Sequence, residues 1–161
     1  MALVKKIKDR KVNIEFNKEF IKVINEKIKN QDTDFLAKSL KELLPADSAD
    51  IIENLSPENR SKLIELEGFN IDPEIFVELN ESIQTEIFLL LSVESIASLL
   101  KKLESDNALK ILENLDKSKK ETVLNRLPPK DRFLLEEGLS YPEDTAARIM
   151  QREFTAIPSN W

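Results

Sequence analysis

Leucine recurs in this chain on a 12-residue grid: Leu43, Leu55, Leu79, Leu91, Leu103, Leu115, Leu127 and Leu139. One grid point fails, at Glu67, with Leu66 beside it. A second track runs in register. Eight residues after each grid point stand Ile51, Leu63, Ile75, Ile87, Leu99, Ile111, Val123 and Leu135, all aliphatic. The residue after each is again apolar, from Ile52 through Ile64, Phe76, Phe88, Leu100, Leu112 and Leu124, until Glu136 ends the series. Apolar positions at i, i+1 and i+4 make one stripe of an α-helix. A unit of this length holds a helix of about 8–10 residues and a corner, which excludes most other architectures.

The corners carry matching chemistry. Directly after grid leucines come Ser56, Asn80, Ser92, Asp116 and Ser140, all good N-caps. Pro45, Pro57 and Pro129 stand where proline suits the first helical turn. Helices this short are marginal alone in water, so they must bury their stripes by stacking on neighbours. The expected fold is all-α: a right-handed, armadillo-like superhelix of short helices in units of about 12 residues. The competing reading is a compact irregular bundle whose period is coincidental; two tracks in register over eight units favour the superhelix.

Before the array, FNKEFIKVINEKIKNQ (Phe16 to Gln31) places Phe20, Ile21, Ile24 and Ile28 on one face and predicts a longer helix. Thr33 or Asp34 is then expected to cap DFLAKSLKELL. Where the grid fails, Gly68 and Pro73 predict a longer connection. The expected organisation is a flexible segment over 1–15, the helical array over 16–139, and a junction over 140–161. That junction, SYPEDTAARIM followed by QREFTAIPSNW, breaks the leucine rhythm; Phe154, Ala156 and Ile157 have strand-like spacing.

Composition narrows function. Gly is 2 of 161, too few for a hairpin-rich fold. Cys and His are absent, which removes thiolate chemistry, zinc-thiolate sites and the commonest general base. Any metal must be a hard cation on oxygen ligands. A net charge of −6 argues against nucleic acid as a partner. No apolar run approaches the ~18 residues of a membrane span, so a cytoplasmic setting is expected. There is no phosphate-binding glycine loop and no base beside a nucleophile, and pairs such as Glu136-Glu137 or Asp47 with Asp50 read as solvated acids. The chain is read as non-enzymatic.

PADSAD at Pro45 to Asp50, the repeated leucine-cap-helix units and YPEDTA at Tyr141 to Ala146 together resemble the cytosolic N-terminal domain of MgtE-family magnesium transporters, over roughly Ile24 to Trp161. YPEDTA is the specific element; Ala147 stands where the family commonly has Gly. The resemblance implies that Tyr141, Pro142, Glu143, Asp144 and Thr145 form the interdomain junction, that 151–161 begins a truncated CBS domain, and that CBS domains and a membrane pore of the same polypeptide follow. It implies a homodimeric full-length protein at the cytoplasmic face of the inner membrane, with this piece itself soluble.

The implied function is regulatory. In the family, the helical domain closes against the CBS domains when intracellular Mg²⁺ is high and biases the pore shut, a divalent ion turning repulsion between acidic surfaces into attraction. The matching ligand position is Glu94 in Ser92-Val93-Glu94, with Asp106 and Glu104 as further acids; the metal candidates are Glu94 and Asp106, at low affinity and shared with the CBS domain. Ser98 and Lys62 occupy positions where the family can carry acids. The alternative for Glu94 is an acid in the first turn of a helix, favoured by the macrodipole. The alternative for the chain is a helical-repeat interaction module, similar to segments of the flagellar motor switch protein or to armadillo-like adaptors, with no ion-sensing role.

Overall fold

A computed structural model describes residues 14–67 and 70–151. The expected flexible start, up to residue 13, and the expected first CBS segment, from residue 152, lie outside the described residues. The described residues form eleven helices and no strand. They are α1 (Ile14–Lys29), α2 (Thr33–Glu42), α3 (Pro45–Glu53), α4 (Pro57–Glu67), α5 (Pro73–Glu78), α6 (Glu81–Leu90), α7 (Val93–Leu100), α8 (Ser105–Glu113), α9 (Lys117–Arg126), α10 (Pro129–Ser140) and α11 (Ala146–Ile149). The chain divides into two compact units, the first ending at Leu91 and the second beginning at Ser92.

In the first unit, α1 packs on α2 and α4, and then α2 on α4, α3 on α5 and α4 on α6. In the second, α7 packs on α9, α8 on α10, and α11 on both α8 and α10. Within each unit, array helices thus stack on the helix two places along, which is how a short stripe finds a partner when consecutive helices diverge at sharp corners. Both aliphatic tracks are the reason. Every residue of the eighth-position track, from Ile51 to Leu135, is buried, as is every ninth-position residue from Ile52 to Leu124. Each such side chain contributes about 1.5–3 kcal/mol on burial. Glu136, where the ninth-position series ends, is exposed.

The longer first helix forms as its stripe predicts, with Phe20, Ile24 and Ile28 buried. It ends in a left-handed turn at Gln31, φ 53°, closed by bonds from Gln31 N to Ile28 O and Asp32 N to Lys27 O. That turn moves the next cap back by one. Asp32, rather than Thr33 or Asp34, accepts from Phe35 N at 3.2 Å. Asn80, Ser92 and Asp116 cap their helices as expected, and Ser56 Oγ accepts from Asn59 N. Ser140 does not cap. Pro142 stands one place later in its unit than Pro45, Pro57 and Pro129 do in theirs, and it holds Tyr141 extended. The helix therefore runs through Ser140, whose hydroxyl donates back to Glu137 O at 2.6 Å.

At the failed grid point, the connection after Glu67 reaches to Pro73, longer than the array's other corners. Glu67 is buried there, with Asn70 Nδ2 donating to its carboxylate at 3.3 Å and the main-chain amides of Asn70 and Ile71 donating to its carbonyl.

A further periodic track lies in the first unit. Ser48, Arg60 and Gln84 stand five residues after their grid points, and all three are buried. Each donates to the main-chain carbonyl eight residues upstream: Ser48 Oγ to Leu40 O at 3.2 Å, Arg60 Nη1 to Ile52 O at 3.0 Å, and Gln84 Nε2 to Phe76 O at 2.7 Å. Those carbonyls belong to the last turns of α2, α3 and α5, where intrahelical partners run out.

Candidate functional site

Glu94 and Asp106 occupy first turns, of α7 and α8 respectively, where negative charge suits the helix dipole. Glu94 is largely exposed, and Arg126 Nη2 of α9 lies 3.3 Å from its Oε1. Ser92, the other half of the family pattern, is engaged in the cap: its Oγ accepts from Ser95 N at 3.1 Å and meets Ser95 Oγ at 2.7 Å. Asp106 is half-buried, and its Oδ1 is a buried oxygen with no hydrogen-bond partner. Glu104 sits at the N-cap position of α8 without a capping bond. Ser98 is exposed, and Lys62 pairs with Glu58 at 2.7 Å.

Among the described residues, no group of three or more acidic side chains is placed to hold a metal ion. Glu94 is paired with Arg126, a partner that sequence spacing did not suggest. Mg²⁺ prefers octahedral oxygen geometry and keeps several of its waters, so one or two carboxylates can serve it. Neither candidate carboxylate is free as it stands: Asp106 Oδ1 is buried, and Glu94 is paired with a cation.

The junction is more highly organised. Tyr141 ends α10 in an extended conformation, and Pro142 to Asp144 form an exposed turn closed by Thr145, whose amide and Oγ1 both donate to Pro142 O, at 3.2 and 2.7 Å. Arg148 of α11 then turns inward and is buried. Its Nε donates to Glu113 Oε1 at 2.7 Å, and its Nη1 donates to Gly138 O at 2.9 Å and Tyr141 O at 3.4 Å. Of the five predicted junction residues, Tyr141, Pro142 and Thr145 shape the turn, while Glu143 and Asp144 face solvent. Sequence reasoning passed over Arg148; the available signal was a lone arginine set among small and apolar residues in a segment where leucines had stopped.

Fold and junction together define an all-helical domain of short stacked helices, and the comparisons identify which. A model of the MgtE intracellular N domain matches residues 43–144, from the first grid leucine into the junction turn, and the chain belongs to that family. Among solved structures it is similar to one described as the crystal structure of the soluble part of a magnesium transporter, with a TM-score of 0.73 and 24% identity. That match covers 86% of this chain and 55% of the other, so the chain spans just over half the length of the protein it resembles. No curated protein matches the chain significantly. No helix among the described residues is long and apolar enough to cross a membrane.

Proposed function

We propose that the chain is the Mg²⁺-sensing cytosolic domain of a magnesium transporter or channel, non-catalytic in itself. It closes against adjacent CBS domains of the same polypeptide when intracellular Mg²⁺ is high, and so biases the pore shut. The observation that carries this reading is the family match over residues 43–144. Charge supports it: a chain of net charge −6 facing another acidic surface is repelled until a divalent cation lies between them. A domain that binds the ion better when closed is shifted toward closure, and low affinity suits the sensing of an abundant ion. On this reading Asp106 and Glu94 contribute carboxylates to a site completed by the neighbouring domain, Asp106 once its buried Oδ1 is uncovered and Glu94 after releasing Arg126. The full-length protein works as a homodimer at the cytoplasmic face of the inner membrane.

The test is a Mg²⁺ titration of the chain by amide NMR, against NaCl at matched ionic strength. Saturable shifts over Ser92–Ser98 and around Asp106, lost in Asp106→Asn, support ion binding by this domain. Shifts identical to those in NaCl exclude binding by the chain alone. Repeating the titration on the chain joined to the domain that follows it then separates a shared site from an interaction module that does not sense the ion.

A further inference from the structure

We propose that Arg148 is a latch that fixes the course of the chain as it leaves the helical array. A four-residue helix such as α11 has no stability of its own in water. What holds it is a guanidinium whose side chain retains only 8% of its exposure. The planar fork meets three acceptors from three places: the Glu113 carboxylate at the end of α8, Gly138 O in the last turn of α10, and Tyr141 O at the start of the junction turn. A cation there also faces the negative ends of two helices at once. The acids that make the junction recognisable in sequence, Glu143 and Asp144, are exposed, whereas the arginine beyond them is buried.

Turning Arg148 inward has a geometric consequence. Its neighbours on this single turn, Ile149 and Met150, point outward, 70% and 49% exposed. The latch therefore sets both the direction in which the chain departs and the apolar pair it presents there. This role holds whether or not the array binds an ion.

Amide hydrogen exchange on this chain tests the latch, using three junction amides with defined acceptors: Thr145 to Pro142 O, Arg148 to Thr145 O and Met150 to Ala146 O. In Arg148→Met these should exchange at least about tenfold faster, while Ile111, Leu112, Val123 and Leu124 in the core of the same unit change less than about twofold. Arg148→Lys, which keeps the charge but not the fork, should fall between. Glu113→Gln keeps an acceptor without its charge and should give about a threefold acceleration, again confined to the junction. Junction rates unchanged in Arg148→Met would overturn the proposal, as would parallel acceleration of the core amides, since Arg148 would then be a general packing residue. If Arg148→Met does not fold, Glu113→Gln decides by the same two criteria, its side chain being a third exposed and so tolerant of change.

Discussion

The two units solve one packing problem with different chemistry. In the first, the fifth position of the repeat carries Ser48, Arg60 and Gln84, each buried and bonded to the last turn of a preceding helix, and only after the failed grid point an exposed residue, Asp72. In the second, the same position carries Ile96 and Ala108, both buried and apolar, before Lys120 and Arg132 only partly covered. The second unit's buried arginine comes instead from the junction, yet it is wired like Arg60. Both use Nε on a glutamate and Nη1 on two main-chain carbonyls: Glu86, Ile52 and Glu53 for Arg60, and Glu113, Gly138 and Tyr141 for Arg148. A buried arginine is thus built into the repeat of one unit and added at the exit of the other. One device closes a helix end within the stack; the other ties down a segment with little packing of its own.

Removing the fork separates those roles most sharply. Arg60→Met removes a donor from two carbonyls at the end of α3 and leaves Glu86 without its cation. Deleting one partner of a buried pair costs about 3–5 kcal/mol, and the loss here falls at the low end, about 3 kcal/mol, because Glu86 keeps a third of its surface and rehydrates. Because Arg60 connects α3, α4 and α6, the loss should accelerate exchange throughout the first unit, in contrast to the local effect expected at Arg148. Urea unfolding with residue-resolved exchange measures both. A strictly local response at Arg60 would make the two arginines equivalent and erase the distinction.

A smaller effect comes from trading one unit's fifth position for the other's. Ser48→Ala removes a donor from Leu40 O and should cost about 1 kcal/mol. Ala108→Ser places a hydroxyl at the same point of the repeat, eight residues after Leu100, in the last turn of α7. If the repeat geometry is common to both units, the new hydroxyl finds that carbonyl and stability falls by less than about 0.5 kcal/mol. A loss above about 1.5 kcal/mol would mean the hydroxyl is buried without a partner, and that the units differ in backbone as well as in side chains.

This contrast explains what the sequence made legible. The aliphatic tracks could be read because burial selects one residue class at a fixed spacing, and each of their positions from Ile51 to Leu135 is buried. The polar track has the same period but mixes Ser, Arg and Gln, which share only the ability to donate to a carbonyl, so no composition pattern announces it. The caps were legible wherever a helix begins directly after its leucine. They failed at Ser140, where proline sits one residue late, and at Asp32, where Gln31 adopts a left-handed conformation that residue type rarely betrays. At the candidate site, first-turn placement of Glu94 followed from the Ser92 cap, whereas no cap residue announced that of Asp106, and the pairing of Glu94 with Arg126 depends on how α7 stacks on α9, which spacing along the chain does not encode.

The smallest expected effect lies at the corner between α1 and α2, and it marks the first unit by its response to acid. Asp32 accepts from Lys27 Nζ at 2.7 Å and from Phe35 N at 3.2 Å, while the Lys27 ammonium sits 4.8 Å from the centre of the Phe35 ring. The Lys27 hydrogen bond first, and then the Phe35 amide, hold the Asp32 carboxyl below the usual aspartate range. A carboxyl depressed in the folded state contributes stability that is fully present above its unfolded value, near pH 4, and is lost as pH falls through the lower folded value. The clip is at the surface, so its contribution is modest and screened by salt. Asp32→Asn keeps a capping acceptor but removes the charge. Its deficit relative to the parent chain should be constant at neutral pH, shrink below about pH 4, and narrow in 1 M NaCl. Exchange rates of α1 and α2 amides should follow that deficit, with the core amides of α8 and α9 as internal reference. A deficit that persists unchanged to pH 2 would mean that the capping geometry alone, without the Lys27 charge, closes this corner.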